Sequence, residues 1–418
     1  MSGSKPERTP VVALGAAHHG GVAIARSLGR LGVPVYSVDS EWSETAFSSR
    51  YCRGRWLLDW ANDRTGSSLD RLLAVGRKVG DRPLLVPFTD QGAIWVAEHA
   101  DVLEQAFRFP HLDAGLVRTL CDKSRMQKLA ERYGLPVAQS IVPHCLESLE
   151  LFASDRSYPL MVKATDANRM RAYTGGTKFI VQNRADLFAL FEKAWDGHSP
   201  NFLAQEFVPG EDWMFDGYFD DASECLFGIT AKKIRRFPAR TGVTSLGVCL
   251  KNEALHTIIT EFMKAIGYRG ILDIGFRHDL RTGDYKIMDV NPRIGSSFRL
   301  FAAADGTDVA RVSYLHQTGS PVPCSAAVEG RKWITEDFDL LSSARSLWDG
   351  TLSPRAWLAS FKGVQELACF AVDDPLPAVM MAIADCRELW KWIRHRGGDR
   401  RPPERVQWPA LLANTRRR

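Results

Sequence analysis

Residues 271–293 read ILDIGFRHDLRTGDYKIMDVNPR, two apolar runs around the turn DLRTG, and this pattern predicts a β-hairpin. If the turn is centred on Arg281, Asp273 pairs with Asp289 across the two strands. Asn291 lies two residues further along its strand and points the same way, because side chains alternate between the two faces of a strand. The hairpin therefore places two carboxylates and an amide on one face of a sheet.

Two facing carboxylates predict a bound cation. Cross-strand partners have Cβ atoms about 5 Å apart, and like charges that close repel each other unless a cation lies between them. Mg²⁺ prefers carboxylate oxygens, waters and phosphate oxygens. We therefore predict that Asp273, Asp289 and Asn291 are metal ligands for Mg²⁺, with Mn²⁺ as the alternative ion. A solvent-exposed acidic sheet face is the simpler interpretation of the same residues.

Two lysines precede the hairpin. Lys163 lies in the run MVKA at 161–164, which is typical of a buried strand. A lysine there is unfavourable unless its ammonium group reaches an anion. Lys123 is predicted to begin a helix, and taken alone it is typical of a solvated surface. A third basic segment, KKIRR at 232–236, follows a predicted strand and is most simply a solvated face.

The segment QEFVPGED at 205–212 predicts a hinge, because a strand runs directly into Pro-Gly. Backbone groups and an acidic side chain at such a hinge are suited to an adenine edge and ribose hydroxyls. By itself the pattern is weak, since Pro-Gly is common at the ends of strands.

The N-terminal segment alternates apolar strands and a helix, which predicts a doubly wound parallel sheet over residues 1–115. Gly15 and Gly20 have the spacing of a phosphate-binding P-loop, but Gly-Val follows where Lys-Ser/Thr is required. Ala17 likewise breaks the dinucleotide-binding fingerprint. A tight strand-to-helix turn whose amides could hold a substrate anion remains. His18 and His19 have no evident third metal ligand.

Composition bounds the class of protein. The chain has 418 residues, a formal charge of +5 and eight scattered cysteines without a C-x-x-C pair. The positive excess lies after residue 394, so the body is close to neutral, which argues against a nucleic-acid-binding core. The cysteines predict reduced thiols and a cytoplasmic protein, and no transmembrane segment is expected. The region 323–418 predicts a mostly helical extension with a disordered basic tail, for which weak membrane-surface contact is an option.

Part of the chain resembles a known family of domains. Residues 121–298 resemble an ATP-grasp domain, in particular the carbamoyl-phosphate-synthase-like and D-aspartate-ligase-like branches, and DVNPR at 289–293 is the most specific match. The resemblance implies ATP as cofactor, held by the following residues: Lys123 and Lys163 at the phosphates, Gly175 and Gly176 in the covering loop, Glu206 and Val208 at the adenine, and Asp212 or Glu211 at the ribose.

The same resemblance implies the reacting end of the site. Asp273, Asp289 and Asn291 match the magnesium ligands, and Arg293 matches an arginine near the transferred phosphoryl group. One of Lys232 and Arg235 would face the γ-phosphate and the acceptor. The chain departs from the family in its covering loop, because DANRMRAYTGGTK at 166–178 is bulkier than the usual glycine-rich lid.

The implied architecture is an N-terminal α/β domain (1–115), a two-lobed ATP-grasp domain (116–322) and the helical extension (323–418). The implied activity is ATP- and Mg²⁺-dependent ligation of a small-molecule carboxylate to an amine through an acylphosphate. A homodimer is an option, and no nucleic acid is expected as a partner. Two alternatives stay open: a bicarbonate-activating, carboxyphosphate-type enzyme, and a non-catalytic ATP-binding module.

Overall fold

The fold is described from a computed structural model. It describes residues 8–60, 63, 66–197, 201–239 and 242–394. By its internal contacts the chain divides into two units. The first comprises Met1–Arg118, Met214–Ile274 and Asn291–Arg418, and the second comprises Thr119–Trp213 and Gly275–Val290. The domain boundaries near residues 115 and 322 stay predictions, and the tail proposed for membrane contact lies mostly outside the described residues.

The described residues form strands at β1 Val11–Leu14, β2 Val35–Asp39, β3 Cys52–Leu57, β4 Leu84–Pro87, β5 Ser140–Ile141, β6 Leu160–Ala164, β7 Lys178–Val181, β8 Phe202–Glu206, β9 Gly210–Phe219, β10 Cys225–Phe237, β11 Val243–Cys249, β12 Gly270–Asp279, β13 Tyr285–Asn291, β14 Lys332–Ile334 and β15 Val364–Leu367.

Helices lie at α1 His19–Gly29, α2 Glu44–Phe47, α3 Ser67–Val79, α4 Asp90–Glu98, α5 Ala100–Leu103, α6 Ala114–Cys121, α7 Lys123–Arg132, α8 Leu146–Ser154, α9 Ala167–Thr174, α10 Arg184–Ala194, α11 Glu253–Ala265, α12 Val309–Gln317, α13 Glu336–Trp348, α14 Pro354–Ser360 and α15 Leu376–Arg394, with a 3₁₀ turn at Phe298–Phe301. Among the described residues, each helix is too short or too polar to span a bilayer.

The N-terminal sheet has the order β3-β2-β1-β4 with parallel neighbours, as the sequence predicts for a doubly wound domain. Its central strand is covered on both sides. Val11 and Ala13 pack into one apolar cluster, whereas Val12 and Leu14 pack into another on the opposite face. This double burial explains why β1 reads as an uninterrupted apolar run.

A seven-stranded sheet has the order β13-β12-β9-β10-β11-β14-β15. The C-terminal region is mainly helical, as predicted, but it also supplies β14 and β15 to this sheet. These two strands have three and four residues, which is too short for a periodic pattern to show in the sequence.

The second unit contains the sheet β5-β8-β6-β7, with antiparallel pairing between neighbours. Leu160, Val162 and Ala164 of β6 point into an apolar cluster with residues of α8, α9 and α10. Lys163 and Met161 therefore lie on the other face of the sheet, since side chains alternate along a strand.

The turn of the predicted hairpin is displaced by one residue. The backbone N–H of Asp279 donates to Asp284 O at 2.8 Å, and the rings of His278 and Tyr285 stack at 4.7 Å. A turn centred on Arg281 would instead oppose His278 and Asp284, so that expectation is wrong. The direct pairing of Asp273 with Asp289 stays a prediction, and the side chain of Asn291 does meet that of Asp273, since Asn291 Nδ2 donates to Asp273 Oδ2 at 3.2 Å.

The predicted covering loop is also wrong in its conformation, because its bulky part forms the helix α9. Met170 is fully buried in the apolar cluster of the second unit, and Arg169 pairs with Asp196. The helix ends before Gly175, whose φ of +78° is a conformation that favours glycine. The residues that make this segment bulky are thus the ones that fold it.

Candidate functional site

Lys163 is a buried cation on β6. The residue is 6% exposed, and within the described part of the chain its ammonium group makes no hydrogen bond or ion pair. Burial lowers its pKa to about 8, against attraction from Asp289 and with added repulsion from Lys178 and Lys123. The electrostatic neighbours of Lys163 thus include several residues that the sequence assigns to one nucleotide site: Lys123, Asp212 and Asp289.

The strand register adds Lys178, which the sequence interpretation missed. Lys163 pairs with Lys178 across β6 and β7, and directly paired residues point to the same face. Two cations at this position favour an anion with more than one negative charge. The sequence did contain a signal for Lys178. Two strands, β6 and β7, lie on either side of Gly175 and Gly176, and when they pair, the first residue of β7 becomes a neighbour of Lys163.

Lys123 is the first residue of α7, as predicted. The helix is capped by Asp122, whose carboxylate accepts a hydrogen bond from Arg125 N at 2.9 Å. Lys123 is half-buried and contributes to the potential at Lys163. The structure thus places the two predicted phosphate lysines within electrostatic range of each other.

Glu206, the predicted adenine-side acid, lies at the end of β8 among cations. Its carboxylate accepts hydrogen bonds from Lys286 Nζ at 2.5 Å and from Arg281 Nη2 at 3.1 Å. Burial opposes ionisation, but these partners and Gln139 N outweigh it and lower the pKa of Glu206. Its side chain therefore orders the hinge through ion pairs.

The segment after Glu206 has a backbone that requires glycine. Gly210 has a φ of +138°, and a Cβ there would lie 1.9 Å from His278 O. Arg277 links the two sides of this hinge, since its Nη1 lies 2.7 Å from Asp212 Oδ2 and its Nε donates to Val208 O at 2.9 Å. Asp212 is thereby oriented, whereas Glu211 points to the opposite face of β9.

The predicted metal residues of the first unit contact one another. Asn291 Nδ2 donates to Asp273 Oδ2 at 3.2 Å, and Arg293 Nη2 donates to Asn291 Oδ1 at 3.3 Å. Arg293 Nη1 lies 3.8 Å from Asp273 Oδ2. Carboxylate and amide oxygens are ligands suited to Mg²⁺, so the donor set of Asp273 and Asn291 fits this ion. Asp289 lies two residues before Asn291 on β13.

Arg293 has a further partner that the sequence did not indicate. Its Nε donates to Asp90 Oδ1 at 2.8 Å, across 203 positions of sequence. Asp90 begins α4 after the N-cap residue Thr89. No local sequence signal connects Asp90 with the hairpin, because the contact depends on the tertiary fold.

A buried carboxyl group lies near these residues. Asp216 is fully buried on β9, between Met214 and Tyr218 on the core-facing side, and neither of its side-chain oxygens has a hydrogen-bond partner within the described residues. Burial, with repulsion from Asp273 and Asp308, raises its pKa well above the ordinary value, against attraction from Arg293. The sequence pattern of an apolar strand hid this residue.

The basic segment 232–236 lies on β10 and not after a strand, which corrects the predicted position. Arg235 is buried and forms a bidentate pair with Asp339 at 2.8 and 2.7 Å. Lys232 pairs with Val248 and, through it, with Lys332, whose ammonium donates to Ser360 O and Lys362 O.

Lys233 lies on the other face of β10. It shares that face with Ala231, which packs in the same apolar cluster as Trp333. We therefore add Lys233 as a candidate beside Lys232. The catalytic roles of Lys232 and Arg235 stay predictions, and such a role for Arg235 would require its pair with Asp339 to open.

The strand-to-helix turn at the N-terminus contains a neutral histidine. Burial, with a smaller contribution from His18, lowers the pKa of His19 to about 3. Its ring packs 5.7 Å from that of Trp333 and 6.0 Å from that of Phe338. Among the described residues, no group of three or more His, Cys, Asp or Glu side chains is arranged to hold a metal.

The chain is similar to ligases of known function at low sequence identity. No family model matches the chain. It is similar to a D-aspartate ligase from Enterococcus faecium, with 23% identity over 245 residues, 54% of this chain and 57% of the relative. It is also similar to the N-terminal section of a carbamoyl phosphate synthase large chain from Methanopyrus kandleri, with 27% identity over 46% of this chain and 35% of the relative.

A solved structure extends the likeness to the fold. The biotin carboxylase domain of a 2-oxoglutarate carboxylase from Hydrogenobacter thermophilus, in complex with MgADP and bicarbonate, matches with a TM-score of 0.56 and 16% identity. The match covers 78% of this chain and 73% of the other. The sequence relatives and the fold are consistent with the ATP-grasp superfamily. This confirms the resemblance and the fold class inferred from the sequence, while the chain spans less than two thirds of each of the two curated relatives.

Proposed function

We propose that this ATP-grasp protein is an ATP- and Mg²⁺-dependent carboxylate–amine ligase. The observation that carries the proposal is the burial of the Lys163 ammonium group beside other lysines. This buried ammonium group has no hydrogen-bonded partner among the described residues, and with the facing Lys178 and the nearby Lys123 it forms a site for a polyanion. Triphosphate is the polyanion that the resemblance to the superfamily implies. The name of the similar D-aspartate ligase supports the same reaction class.

In this proposal the nucleotide is bound by residues with separate tasks. Lys123, Lys163 and the backbone at Gly175 and Gly176 hold the phosphates. Val208 and Glu206 order the adenine side, and Asp212 or Glu211 accepts hydrogen bonds from the ribose hydroxyls.

The reacting end consists of oxygen ligands and one arginine. Asp273, Asp289 and Asn291 would hold Mg²⁺, which when bound neutralises phosphate charge. Arg293 stabilises the negative charge that develops on the transferred phosphoryl group, because its guanidinium is a planar donor matched to phosphate oxygens.

The reaction then follows in two displacements. A carboxylate oxygen of the substrate attacks the γ-phosphorus, the bond to ADP breaks, and an acylphosphate forms. The neutral amine attacks the acyl carbon, the bond to phosphate breaks, and the amine loses a proton to give the amide. Holding both substrates in line removes the entropic cost of each encounter, so no nucleophile from the protein is required.

A bicarbonate-activating enzyme is the second candidate. The carbamoyl phosphate synthase relative and the bicarbonate in the carboxylase complex favour it. In that reaction bicarbonate replaces the substrate carboxylate in the first displacement, and the same nucleotide residues serve.

Finer assignments accompany the proposal. Mn²⁺ is proposed to replace Mg²⁺, because both ions accept oxygen ligands. All eight cysteines lie among the described residues as free thiols, which supports a cytoplasmic location. A homodimer and weak membrane-surface contact by the C-terminal tail also stay proposals.

The test is phosphate release from Mg-ATP in the presence of pooled amino acids, D-aspartate included, with products identified by mass spectrometry. We expect amide formation with stoichiometric phosphate and its loss in Asp289→Ala. Lys264→Met is the matched control, because Lys264 is an exposed lysine paired with Glu224. Turnover that depends on bicarbonate alone would select the second candidate. Nucleotide binding without turnover on any pool would contradict both.

A further inference from the structure

Arg293 is held on three sides by hydrogen bonds. Its Nε donates to Asp90 Oδ1 at 2.8 Å, its Nη1 to Ile294 O at 3.2 Å and its Nη2 to Asn291 Oδ1 at 3.3 Å. A guanidinium has five N–H donors in a rigid plane. These bonds fix the plane and leave further Nη hydrogens for a ligand.

Two of the neighbours of Arg293 are also proposed metal ligands. Asn291 Oδ1 accepts from Arg293, and Asp273 Oδ2 lies 3.8 Å from its Nη1. A metal cation bound to these oxygens would repel the positive charge of the nearby guanidinium and would compete with it for their lone pairs. Metal binding at Asp273 and Asn291 would therefore weaken both contacts, and Asp90 would remain as the carboxylate that holds Arg293.

Asp90 is built into a position suited to this task. It is the first residue of α4, where a negative charge is favoured by the helix dipole. The preceding Thr89 caps the helix by accepting a hydrogen bond from Gly92 N at 2.9 Å. The Asp90 side chain is 45% exposed, against 17% for Arg293. The position of its carboxylate is therefore determined by its helix and by the bond to Arg293, and not by core packing.

We propose that Asp90 is the positioning residue for Arg293, which it keeps oriented and away from Asp273 when the metal binds. This inference rests on the proposed function, which assigns Mg²⁺ and an adenine nucleotide as the ligands of this site. Without the Asp90 charge, the guanidinium closes on Asp273 and competes with the metal for the same carboxylate.

The experiment measures ADP binding by calorimetry, with Mg²⁺ and with chelator, in the wild type, Asp90→Asn, Asp90→Glu and the surface control Glu224→Gln. We expect Asp90→Asn to weaken binding of MgADP about tenfold, which is the magnitude of one charged hydrogen bond. Binding of metal-free ADP should be unchanged in it. Asp90→Glu should restore most of the affinity, because it keeps the charge within reach of Nε.

A double-mutant cycle separates this role from general destabilisation. In the Arg293→Gln background, Asp90→Asn should have no further effect on MgADP affinity. An equal loss with and without Mg²⁺, or the same loss in the Arg293→Gln background, would overturn the role of Asp90. If wild-type protein binds ADP equally with and without Mg²⁺, the metal half of the proposed function fails and the role of Asp90 fails with it. Equal MgADP affinity in all variants would refute Asp90 alone.

Discussion

Replacing Lys163 by methionine should stabilise the protein while it abolishes nucleotide binding. Methionine keeps the length and apolar character of the stem and removes the buried charge. The pKa of Lys163 falls from its usual 10.5 to about 8, and a change of one unit in pKa corresponds to about 1.4 kcal/mol of free energy. The charged form therefore costs about 3 kcal/mol of folding free energy at neutral pH, in a side chain that is 6% exposed.

The pH dependence follows from linkage. Between pH 8 and 10.5 the unfolded chain holds a proton at this lysine that the folded protein has lost. Stability contributed by this site therefore rises with pH across that window. Below pH 8 the full penalty applies, and above 10.5 none remains. The advantage of Lys163→Met should accordingly be largest at pH 7 and should shrink as the pH approaches 10.

The assay is urea unfolding of the nucleotide-free protein at pH 7, 8, 9 and 10, together with ADP titration calorimetry. Lys264→Met serves as the control, since Lys264 is an exposed lysine. For the wild type, ADP affinity should also fall above pH 8, because the free protein must then take up a proton to present a charged Lys163. A Lys163→Met variant that is less stable than wild type at pH 7, or that binds MgADP normally, would refute the reasoning.

Three further substitutions test single features of the structure. Asp339→Ala leaves the buried Arg235 without its carboxylate and should cost about 3–5 kcal/mol in urea unfolding; a loss below 1 kcal/mol would mean that the pair is open to solvent. Met170→Ala should cost about 2–5 kcal/mol, because Met170 is fully buried, and an unchanged midpoint would show that α9 does not pack on its unit. Asp216→Asn should be more stable than wild type at pH 7 in the metal-free protein. Because the pKa of Asp216 is raised in the folded protein, the free energy of unfolding of the wild type falls as the pH rises above the ordinary pKa of 3.8. The stability difference between Asp216→Asn and the wild type should therefore vanish near pH 4. A difference that grows toward pH 4 would contradict this account.

Patterns of local sequence predicted most of the secondary structure. The second strand of the predicted hairpin is found as β13 at Tyr285–Asn291, because alternation and the turn before it are both local signals. The buried strand predicted at 161–164 is likewise found, as β6 at Leu160–Ala164. The strand β3 was missed, since a glycine interrupts its partly buried face, Cys52-Gly54-Trp56, and Leu57 lies on its exposed face beside two arginines.

Some site residues were readable for chemical reasons. A lysine among apolar residues, as at Lys163, is unfavourable without an anion, and this holds for any fold. The DVNPR motif predicted the metal ligands Asp289 and Asn291 and the role of Arg293 through a family resemblance. Neither signal could reveal that Arg293 contacts Asp90 or that Lys233 shares the core-facing side of β10.

The sequence by itself determined which groups are available for chemistry: two lysines, a hinge and an oxygen-rich hairpin that resemble those of the ATP-grasp superfamily. Tertiary structure decided how those groups are held. The register of β6 and β7 set Lys178 beside Lys163, a one-residue shift moved the hairpin turn, and packing buried Asp216 and paired Arg235 with Asp339. Local patterns record the preferences of one segment, whereas register, pairing and desolvation depend on segments that are distant in the chain and meet only in the folded protein.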